Sequence, residues 1–181
     1  STAPYLYSFC LINVDKKVEK MRFEGHLGIV ESVIRLNEVE ILSCSNDLSL
    51  KRWNISNGQC LKTYYIDRVV NFISIISNDE IFTLTKDKTL KSISLNKMIN
   101  ESSAIHMQRN EKVVSLIKLN SKLFAIGYNT SIAIWDIDTI THLFTLNNEE
   151  PIVAMCKMDK DTIIVSSGRE FKLWNYRKRN Y

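Results

Sequence analysis

Five similar segments recur along the chain at steps of about forty residues, and this period constrains the fold more than any other feature. Each segment is a short β-prone run, and in three of them a tryptophan marks the same position. The markers lie 41, 40, 42 and 39 residues apart, at Ile12, Trp53, Ile93, Trp135 and Trp174. Such regular spacing indicates a repeat architecture in which each period forms one supersecondary unit.

Each period has the pattern of short strands and not of helices. In the best-preserved period the runs are rich in β-branched or aromatic residues and are bounded by Asn, Asp, Gly or Ser. They cover 29–36, 39–45, 48–54 and 59–65. The same pattern predicts strands at 69–77, 80–85, 89–95 and 103–108, then 112–119, 122–128, 131–137 and 141–146, and finally 152–158, 162–167 and 171–176. Residues 5–14 and 17–23 add two more, which makes an all-β chain of 17 strands.

One stretch carries a family resemblance. The dipeptide Gly25-His26, the run "ILSCSND" and the run "LKRWNI" together resemble a WD-repeat blade, and weaker matches cover the rest of the chain. The resemblance implies a β-propeller of four-stranded antiparallel blades, with about four blades present in one propeller domain. It divides the chain into the third and fourth strands of a preceding blade (1–24), a WD blade (25–65), a degenerate blade (66–108), a WD blade (109–147) and a final blade without its fourth strand (148–181).

The resemblance also implies a structural lock of hydrogen bonds in each well-formed blade. Here it falls on His26, either Ser43 or Ser45, Asp47 and Trp53, because a buried indole N–H and a buried imidazole need polar partners. Other periods keep only parts of it. These parts are Asp87 with Thr83 or Thr85, then Trp135, then Trp174, and none of them has a matching Gly-His.

Ring closure follows from the same resemblance. Members of the family commonly close the ring with a blade shared between the two chain ends. We therefore expect the C-terminal part of a larger propeller of seven or eight blades, closed by upstream sequence or by another chain, because open sheet edges are prone to aggregate. A four-bladed ring closed by residues 17–23 is the alternative.

Composition excludes several classes of protein. No stretch approaches 18 consecutive apolar residues, so no membrane span is expected. The four cysteines, Cys10, Cys44, Cys60 and Cys156, form no CxxC pair and have no paired histidine, so neither a metal site nor a disulfide framework is indicated. We expect reduced, mostly buried thiols in an intracellular protein, cytoplasmic or nuclear, and no cofactor.

Catalytic motifs are not recognisable in the sequence. His106 and His142 fall in predicted outer strands, where a solvated or half-buried histidine is the ordinary situation. There is no nucleophile elbow, phosphate-binding glycine loop or HExxH motif. Glu149 and Glu150 are adjacent in a turn, so they point apart and suit a solvated loop better than acid/base catalysis. The sequence therefore predicts a protein that is not an enzyme and has no catalytic residues.

A binding surface is the function that remains. The resemblance places the Gly-His and Asp turns on one face of the disc, the face that the family most often uses to bind peptides or domains. Basic residues from every blade fall there, and an acidic or phosphorylated protein segment suits them. They are Arg68, Lys86, Lys88, Arg109 and Arg169. The favoured function is thus a scaffold for protein–protein interaction within a larger assembly, although loops are commonly polar without binding anything.

Two other functions stay open. The basic tail Arg177-Lys178-Arg179, flanked by Tyr176 and Tyr181, offers charges for RNA phosphates and rings for stacking on bases. That reading makes the chain part of a ribonucleoprotein. Alternatively, the chain is a regulatory segment attached to an enzyme encoded upstream of residue 1.

Overall fold

The computed structural model describes residues 7–77, 79–96, 105–106, 112–168 and 170–178. All regular secondary structure in these residues is β-strand. The strands in chain order are β1 (Tyr7–Asn13), β2 (Val18–His26), β3 (Val30–Arg35), β4 (Glu40–Ser45), β5 (Ser49–Asn54), β6 (Cys60–Tyr65), β7 (Val70–Ile75), β8 (Glu80–Thr85), β9 (Thr89–Ser94), β10 (Ile105–His106), β11 (Val113–Lys118), β12 (Leu123–Tyr128), β13 (Ser131–Asp136), β14 (His142–Asn147), β15 (Ile152–Lys157), β16 (Thr162–Ser167) and β17 (Glu170–Asn175).

These strands form five antiparallel sheets. The N-terminal hairpin is β1-β2; sheet 1 is β3-β4-β5-β6; sheet 2 has the order β10-β9-β8-β7; sheet 3 is β11-β12-β13-β14; and sheet 4 is β15-β16-β17. Neighbouring strands are also neighbours in sequence, as hairpin connections require. The predicted all-β class, with antiparallel blades of four strands and about four blades present, is confirmed.

The strand bounds differ from the sequence pattern by a few residues. β2 continues beyond the predicted 17–23 as far as His26, so Gly25 and His26 lie at the end of a strand. Gly25 has a φ of 139°, which side-chain-bearing residues rarely adopt. Of the strand predicted at 103–108, the structure describes Ile105–His106 as β10, and the other positions lie outside the described residues.

Burial depends on the position of a strand within its sheet. The second strands β8 and β12 are buried at five consecutive positions, so side chains on both faces of the sheet are covered. This explains why their sequences are apolar or small without alternation. The fourth strand β6 is exposed at four of its six positions, and β14 is exposed at three of six.

The chain consists of two compact units, residues 1–104 and residues 105–181. The core of the first unit contains apolar side chains from sheet 1 and from β7 and β8, with members such as Leu42, Leu50, Ile73 and Ile81. The core of the second unit contains Ile132, Ile134, Ile163, Val165 and Trp174. Each core is thus built from aliphatic and aromatic side chains of adjacent sheets.

The cysteine prediction was partly wrong. Cys44 is buried, but Cys10, Cys60 and Cys156 are exposed, and all four are free thiols. The three exposed cysteines lie on β1, β6 and β15, which are edge strands of their sheets. Because an edge strand has a neighbour on one side only, its side chains are less covered than those of a central strand.

Candidate functional site

A series of hydrogen-bonded side chains crosses the interior of sheet 1, and we call this series the relay. The Trp53 Nε1–H donates to Ser43 Oγ over 2.8 Å, and Ser43 Oγ lies 2.7 Å from His26 Nε2. On the other side of the ring, His26 Nδ1 lies 2.9 Å from Asp47 Oδ2. All donors point the same way when His26 is neutral, because Ser43 then accepts from Trp53 and donates to Nε2, and Nδ1–H donates to Asp47.

Asp47 is the acceptor at which the relay ends. Besides His26, its carboxylate accepts from the Leu27 N–H at 2.8 Å, the Ser49 N–H at 3.0 Å and the Ser49 hydroxyl at 2.6 Å. Burial by itself raises the pKa of Asp47, but the hydrogen bonds from Ser49, Leu27 and His26 outweigh it and hold the pKa at about 2. The carboxylate therefore stays charged and joins the end of β2 to the β4–β5 turn.

Burial also controls the protonation of His26. Its side chain is 1% exposed, and desolvation lowers its pKa below the ordinary value, although Asp47 partly offsets this. The neutral imidazole is the form that fits the donor directions described above. Asp47 and His26 therefore form a hydrogen-bonded pair in which the carboxylate carries the charge.

Aromatic rings enclose the indole of Trp53. Phe9 and Phe23 of the N-terminal hairpin stack on each other at 4.8 Å, and each meets Trp53 edge-on at 5.8 and 5.9 Å. A Cβ on Gly25 would lie 3.4 Å from the indole. The hairpin thus packs directly over the lock, and water is excluded from the relay because Trp53 and Phe23 are each only 1% exposed.

The two serines that the sequence left as alternatives have different partners. Ser43 lies between Trp53 and His26, whereas the Ser45 hydroxyl accepts from the Asp47 N–H at 3.2 Å. Both are fully buried. Ser43 is therefore the relay residue, and Ser45 shapes the turn that carries Asp47.

Sheet 2 has a similar aspartate turn between β8 and β9, but it has isoleucine, Ile93, at the position of the tryptophan. Asp87 accepts hydrogen bonds from the Thr85 hydroxyl and, at 3.3 Å, from the Thr89 N–H. Arg68 forms an ion pair with it. The Thr85 hydroxyl contributes most to lowering the pKa of Asp87 to about 2, together with Thr89 and Arg68. An exposed guanidinium thus takes the place that a buried histidine has in sheet 1.

Strand register shows what replaces the relay in each sheet. Trp53 pairs with Ile41, and the residue two positions after Ile41 is Ser43. The corresponding cross-strand pairs are Ile81–Ile93, Phe124–Trp135 and Ile163–Trp174. Two positions after the first member of each pair lie Thr83, Ile126 and Val165. Thr83 donates to the Lys91 carbonyl at 3.3 Å, and no hydroxyl is present at this position in sheets 3 and 4.

Trp135 shows the consequence in sheet 3. Its Nε1 is buried and has no hydrogen-bond partner among the described residues. The ring instead stacks on Phe124 at 6.1 Å and meets His142 edge-on at 5.4 Å. Trp174 of sheet 4 is buried in the core of the second unit. Packing therefore positions the Trp135 ring.

The basic residues selected from the sequence are only partly described. Arg68 is 55% exposed and pairs with Asp87 and, at 3.9 Å, with Asp67. Lys86 and Lys88 flank Asp87 in the β8–β9 turn, where Lys88 has a φ of 67°. Arg109 and Arg169 lie outside the described residues.

Sequence reasoning missed several residues at this end of sheet 1. Exposed apolar residues beside the lock are Leu27, Leu48 and Tyr65. Ser49 donates two hydrogen bonds to Asp47. The signal for Leu48 was available, because the third position of a three-residue hairpin turn favours glycine and here carries leucine. No periodic pattern marks the others.

The remaining candidates show no catalytic arrangement. His142 is exposed and lies 2.9 Å from the Thr145 hydroxyl, and Glu149 pairs with Lys172 at 3.6 Å. Within the described ranges, no group of three or more His, Cys, Asp or Glu side chains is arranged to hold a metal ion. The same ranges contain no helix long and apolar enough to cross a membrane.

Two curated proteins are similar in sequence to this chain. No family model matches the chain. The ribosome biogenesis protein YTM1 of Candida glabrata is 26% identical over 162 residues, which are 86% of this chain and 30% of that protein. The nuclear distribution protein PAC1 of Eremothecium gossypii is 30% identical over 86 residues, 48% of this chain and 18% of that protein. The chain therefore spans less than a third of the length of these curated relatives.

Solved structures agree on the fold. The structure of U3-55K superimposes with a TM-score of 0.70 over 86% of this chain and 51% of that chain, at 13% identity. The sheets, their repeat of about forty residues and the sequence relatives all indicate one architecture. The chain is similar in sequence to WD-repeat proteins and has the fold of β-propeller blades.

Proposed function

We propose that the chain is a non-enzymatic scaffold that binds other proteins in a larger intracellular assembly. The observation that carries this proposal is the locked end of sheet 1, where Asp47 holds the end of β2 and the β4–β5 turn together through four short contacts. Loops fixed in this way present side chains without losing much conformational entropy when a partner binds.

The relatives support this class of function. The names of the two relatives refer to ribosome biogenesis and to nuclear distribution, and neither name describes an enzymatic activity. A scaffold in a cytoplasmic or nuclear complex fits both names. We propose no cofactor, because the function requires none.

Charge at the turns suggests the chemistry of the partner. Lys86 and Lys88 flank Asp87, whose carboxylate already pairs with Arg68. We therefore propose an acidic or phosphorylated partner segment at this turn, with Arg109 and Arg169 as further candidate contacts.

Sheet edges suggest a second type of contact. In the described residues β1 pairs only with β2, and a groove beside it is lined by Tyr7 and Phe9 on one side and by Val30 and Val33 on the other. β17 is likewise an edge strand, and Phe171 on it is 77% exposed. We propose that strands from elsewhere, either upstream sequence or another chain, pair with these edges.

Affinity purification of the tagged protein from its own cells tests the scaffold function. Proteins cross-linked to the wild type are quantified against those cross-linked to a Lys86→Glu, Lys88→Glu variant. The matched control is Lys17→Glu with Lys20→Glu in the N-terminal hairpin, whose turn lies at the opposite end of β2 from His26. Loss of specific partners in the first variant and not in the control supports the proposal, and a wild type that captures no protein contradicts it.

RNA binding through the basic tail is the second candidate. The name of the ribosome biogenesis relative favours it. However, Arg177 is engaged with Asp161 at 2.5 Å, which reduces the charge available to a phosphate, and Arg179 lies outside the described residues. Salt-dependent binding of single-stranded RNA that disappears when residues 177–181 are removed would establish this function.

A further inference from the structure

The β4–β5 turn has an unfavourable backbone conformation at an exposed leucine. Ser45 and Ser49 pair across the turn, so residues 46–48 form a three-residue loop, and Leu48 at its third position has a φ of 61°. This left-handed conformation suits glycine and costs a side-chain-bearing residue about 1–2 kcal/mol. The Leu48 side chain is 40% exposed, so little burial compensates the cost. A bulky residue at such a position indicates a role other than folding.

Two more exposed apolar residues lie at the same end of sheet 1 as Leu48. Leu27 is 75% exposed, and its backbone is held against the turn by Asp47. Tyr65 is 80% exposed and pairs in register with Ser49, and the next residue, Ile66, donates to the Leu48 carbonyl at 3.0 Å. We call Leu27, Leu48 and Tyr65 the apolar patch. Single exposed apolar residues are common, but a group of three at one end of one sheet suggests a contact surface.

The lock fixes two members of the apolar patch, Leu27 and Leu48. Asp47 accepts hydrogen bonds from Leu27 and from Ser49, so the residues on both sides of the carboxylate are fixed with respect to each other. Gly28 contributes as well, because a Cβ at this position would lie 2.8 Å from the Asp47 nitrogen. Leu27 and Leu48 are therefore presented by a buried polar network and not by a loose loop.

Positive charge adjoins the apolar patch. The segment that follows Tyr65 carries Asp67 and Arg68, which pair with Lys91 and Asp87 of sheet 2. This connects the apolar patch to the β8–β9 turn, where Lys86 and Lys88 lie. Both aspartates are engaged in ion pairs, whereas no ion pair of Lys86 or Lys88 is found in the part of the chain that the structure describes. The surplus charge near the apolar patch is positive.

We propose that the apolar patch anchors the apolar side chains of a peptide segment whose acidic groups contact Lys86 and Lys88. This rests on the proposed scaffold function and specifies its ligand: a short segment in which apolar residues stand beside anionic ones. The apolar contacts supply most of the affinity, and the lysines select for negative charge and increase the association rate.

The test is selection of random 16-residue peptides displayed on phage against the intact protein. Enriched peptides are synthesised with a fluorescent label, and their dissociation constants are measured by anisotropy. We expect enriched sequences to combine apolar and acidic residues. We also expect Leu48→Gly to weaken their binding tenfold or more while leaving the thermal unfolding temperature equal or higher, because glycine relieves the backbone strain.

Further variants separate the two contributions. Leu27→Ser should weaken binding in the same way, and Lys86→Glu should remove the preference for acidic peptides. Val14→Ser in the N-terminal hairpin is the matched control, since Val14 is 82% exposed at the opposite end of β2, and it should change nothing. Versions with phosphoserine in place of glutamate show whether a carboxylate or a phosphate is the preferred anion.

Two results of the peptide selection would overturn the proposal. One is a set of enriched peptides that bind Leu48→Gly and Leu27→Ser as tightly as they bind the wild type. The other is the absence of any enriched peptide. Neither would remove the scaffold function, which depends on the separate capture experiment with the lysine variants. Capture that persists in Leu48→Gly would leave the scaffold in place and eliminate the apolar patch.

Discussion

Sheets 1 and 3 each carry a tryptophan at the same position of the third strand, yet the two indoles are held in different ways. In sheet 1 the Trp53 N–H donates to Ser43 and through it connects to His26 and Asp47. In sheet 3 the Trp135 N–H is buried without a hydrogen-bond partner among the described residues, and the ring is held by Phe124 and His142. The same residue type thus contributes polar specificity in one sheet and packing alone in the other.

The difference depends on one position. Ser43 and Ile126 have the same register relative to the two tryptophans, and a hydroxyl at this position completes the relay whereas the sec-butyl side chain of isoleucine cannot. A tryptophan in the third strand is therefore weak evidence for the lock. The residue two positions after its cross-strand partner is the informative one.

Replacement of the two tryptophans by phenylalanine should give the largest contrast. Trp53→Phe removes a buried hydrogen bond and leaves a cavity, so we expect a loss of about 3 kcal/mol in the free energy of unfolding. Trp135→Phe removes a donor that is already unpaired, so its cost should be below about 1 kcal/mol. Urea denaturation, with hydrogen exchange of the β4 and β12 amides to locate the effect, measures both. Equal losses of unfolding free energy in the two variants would show that the Trp53 hydrogen bond adds no stability.

Ser43→Ala should have the next largest effect. It leaves the Trp53 N–H and the His26 Nε2 without a partner in a buried site, which should cost about 2 kcal/mol. The matched variant is Ser45→Ala, which removes a single 3.2 Å contact to a backbone N–H and should cost about 1 kcal/mol or less. A larger loss from Ser45→Ala would show that the turn, and not the relay, is the stabilising part.

Acid should weaken sheet 1 more than sheet 3. The pKa of Asp47 is about 2, against an ordinary value near 3.8, so its contribution of about 2 kcal/mol is present above pH 4 and is lost as the pH falls from 4 toward 2. The pKa of His26 is lowered as well, so its contribution is complete above pH 6.5 and declines below it.

Both groups therefore make the first unit less stable on acidification. Hydrogen exchange of the β4 amides, measured at pH 7, pH 4.5 and pH 2.5, should show decreases in protection that are absent in β12, the first from His26 and the second from Asp47. In Asp47→Asn the decrease between pH 4.5 and pH 2.5 should disappear. A wild-type response that is equal in β4 and β12 would exclude the lock as its source.

The smallest effect concerns rescue of sheet 3. Ile126→Thr places a hydroxyl at the relay position, where it can accept from the Trp135 N–H. Ile126→Val removes a similar volume without adding an acceptor. We expect the threonine variant to be equal in stability to the valine variant, or within about 1 kcal/mol of it, instead of showing the usual penalty for a buried hydroxyl. If the threonine variant is several kcal/mol less stable than the valine variant, position 126 of sheet 3 is not equivalent to position 43 of sheet 1.

Much of the fold could be predicted because its signals are local and repeated. The period of about forty residues, the short β-prone runs and the turn residues determined the class and most strand positions. The extension of β2 to His26 was not predictable, because a glycine at a φ of 139° interrupts the residue pattern without interrupting the strand. The exposure of Cys10, Cys60 and Cys156 was missed since it depends on which strands are edges.

The site was predicted less completely. His26, Asp47 and Trp53 were selected by family resemblance, but the choice between Ser43 and Ser45 required the strand register. The fourfold coordination of Asp47 includes Ser49 and a backbone N–H, and backbone groups leave no trace in a sequence. The apolar patch combines Leu27, Leu48 and Tyr65 from three separate segments, so only their arrangement in space brings them together.

The relay also gives this protein an internal spectroscopic reporter. The chain contains three tryptophans, and therefore three indole N–H groups. The N–H of Trp53 lies in a dry pocket 2.8 Å from an oxygen, which should shift its proton resonance downfield and slow its exchange with solvent. A single resonance in a nitrogen-labelled sample would then report whether the first unit is intact, whatever partner is bound elsewhere on the molecule.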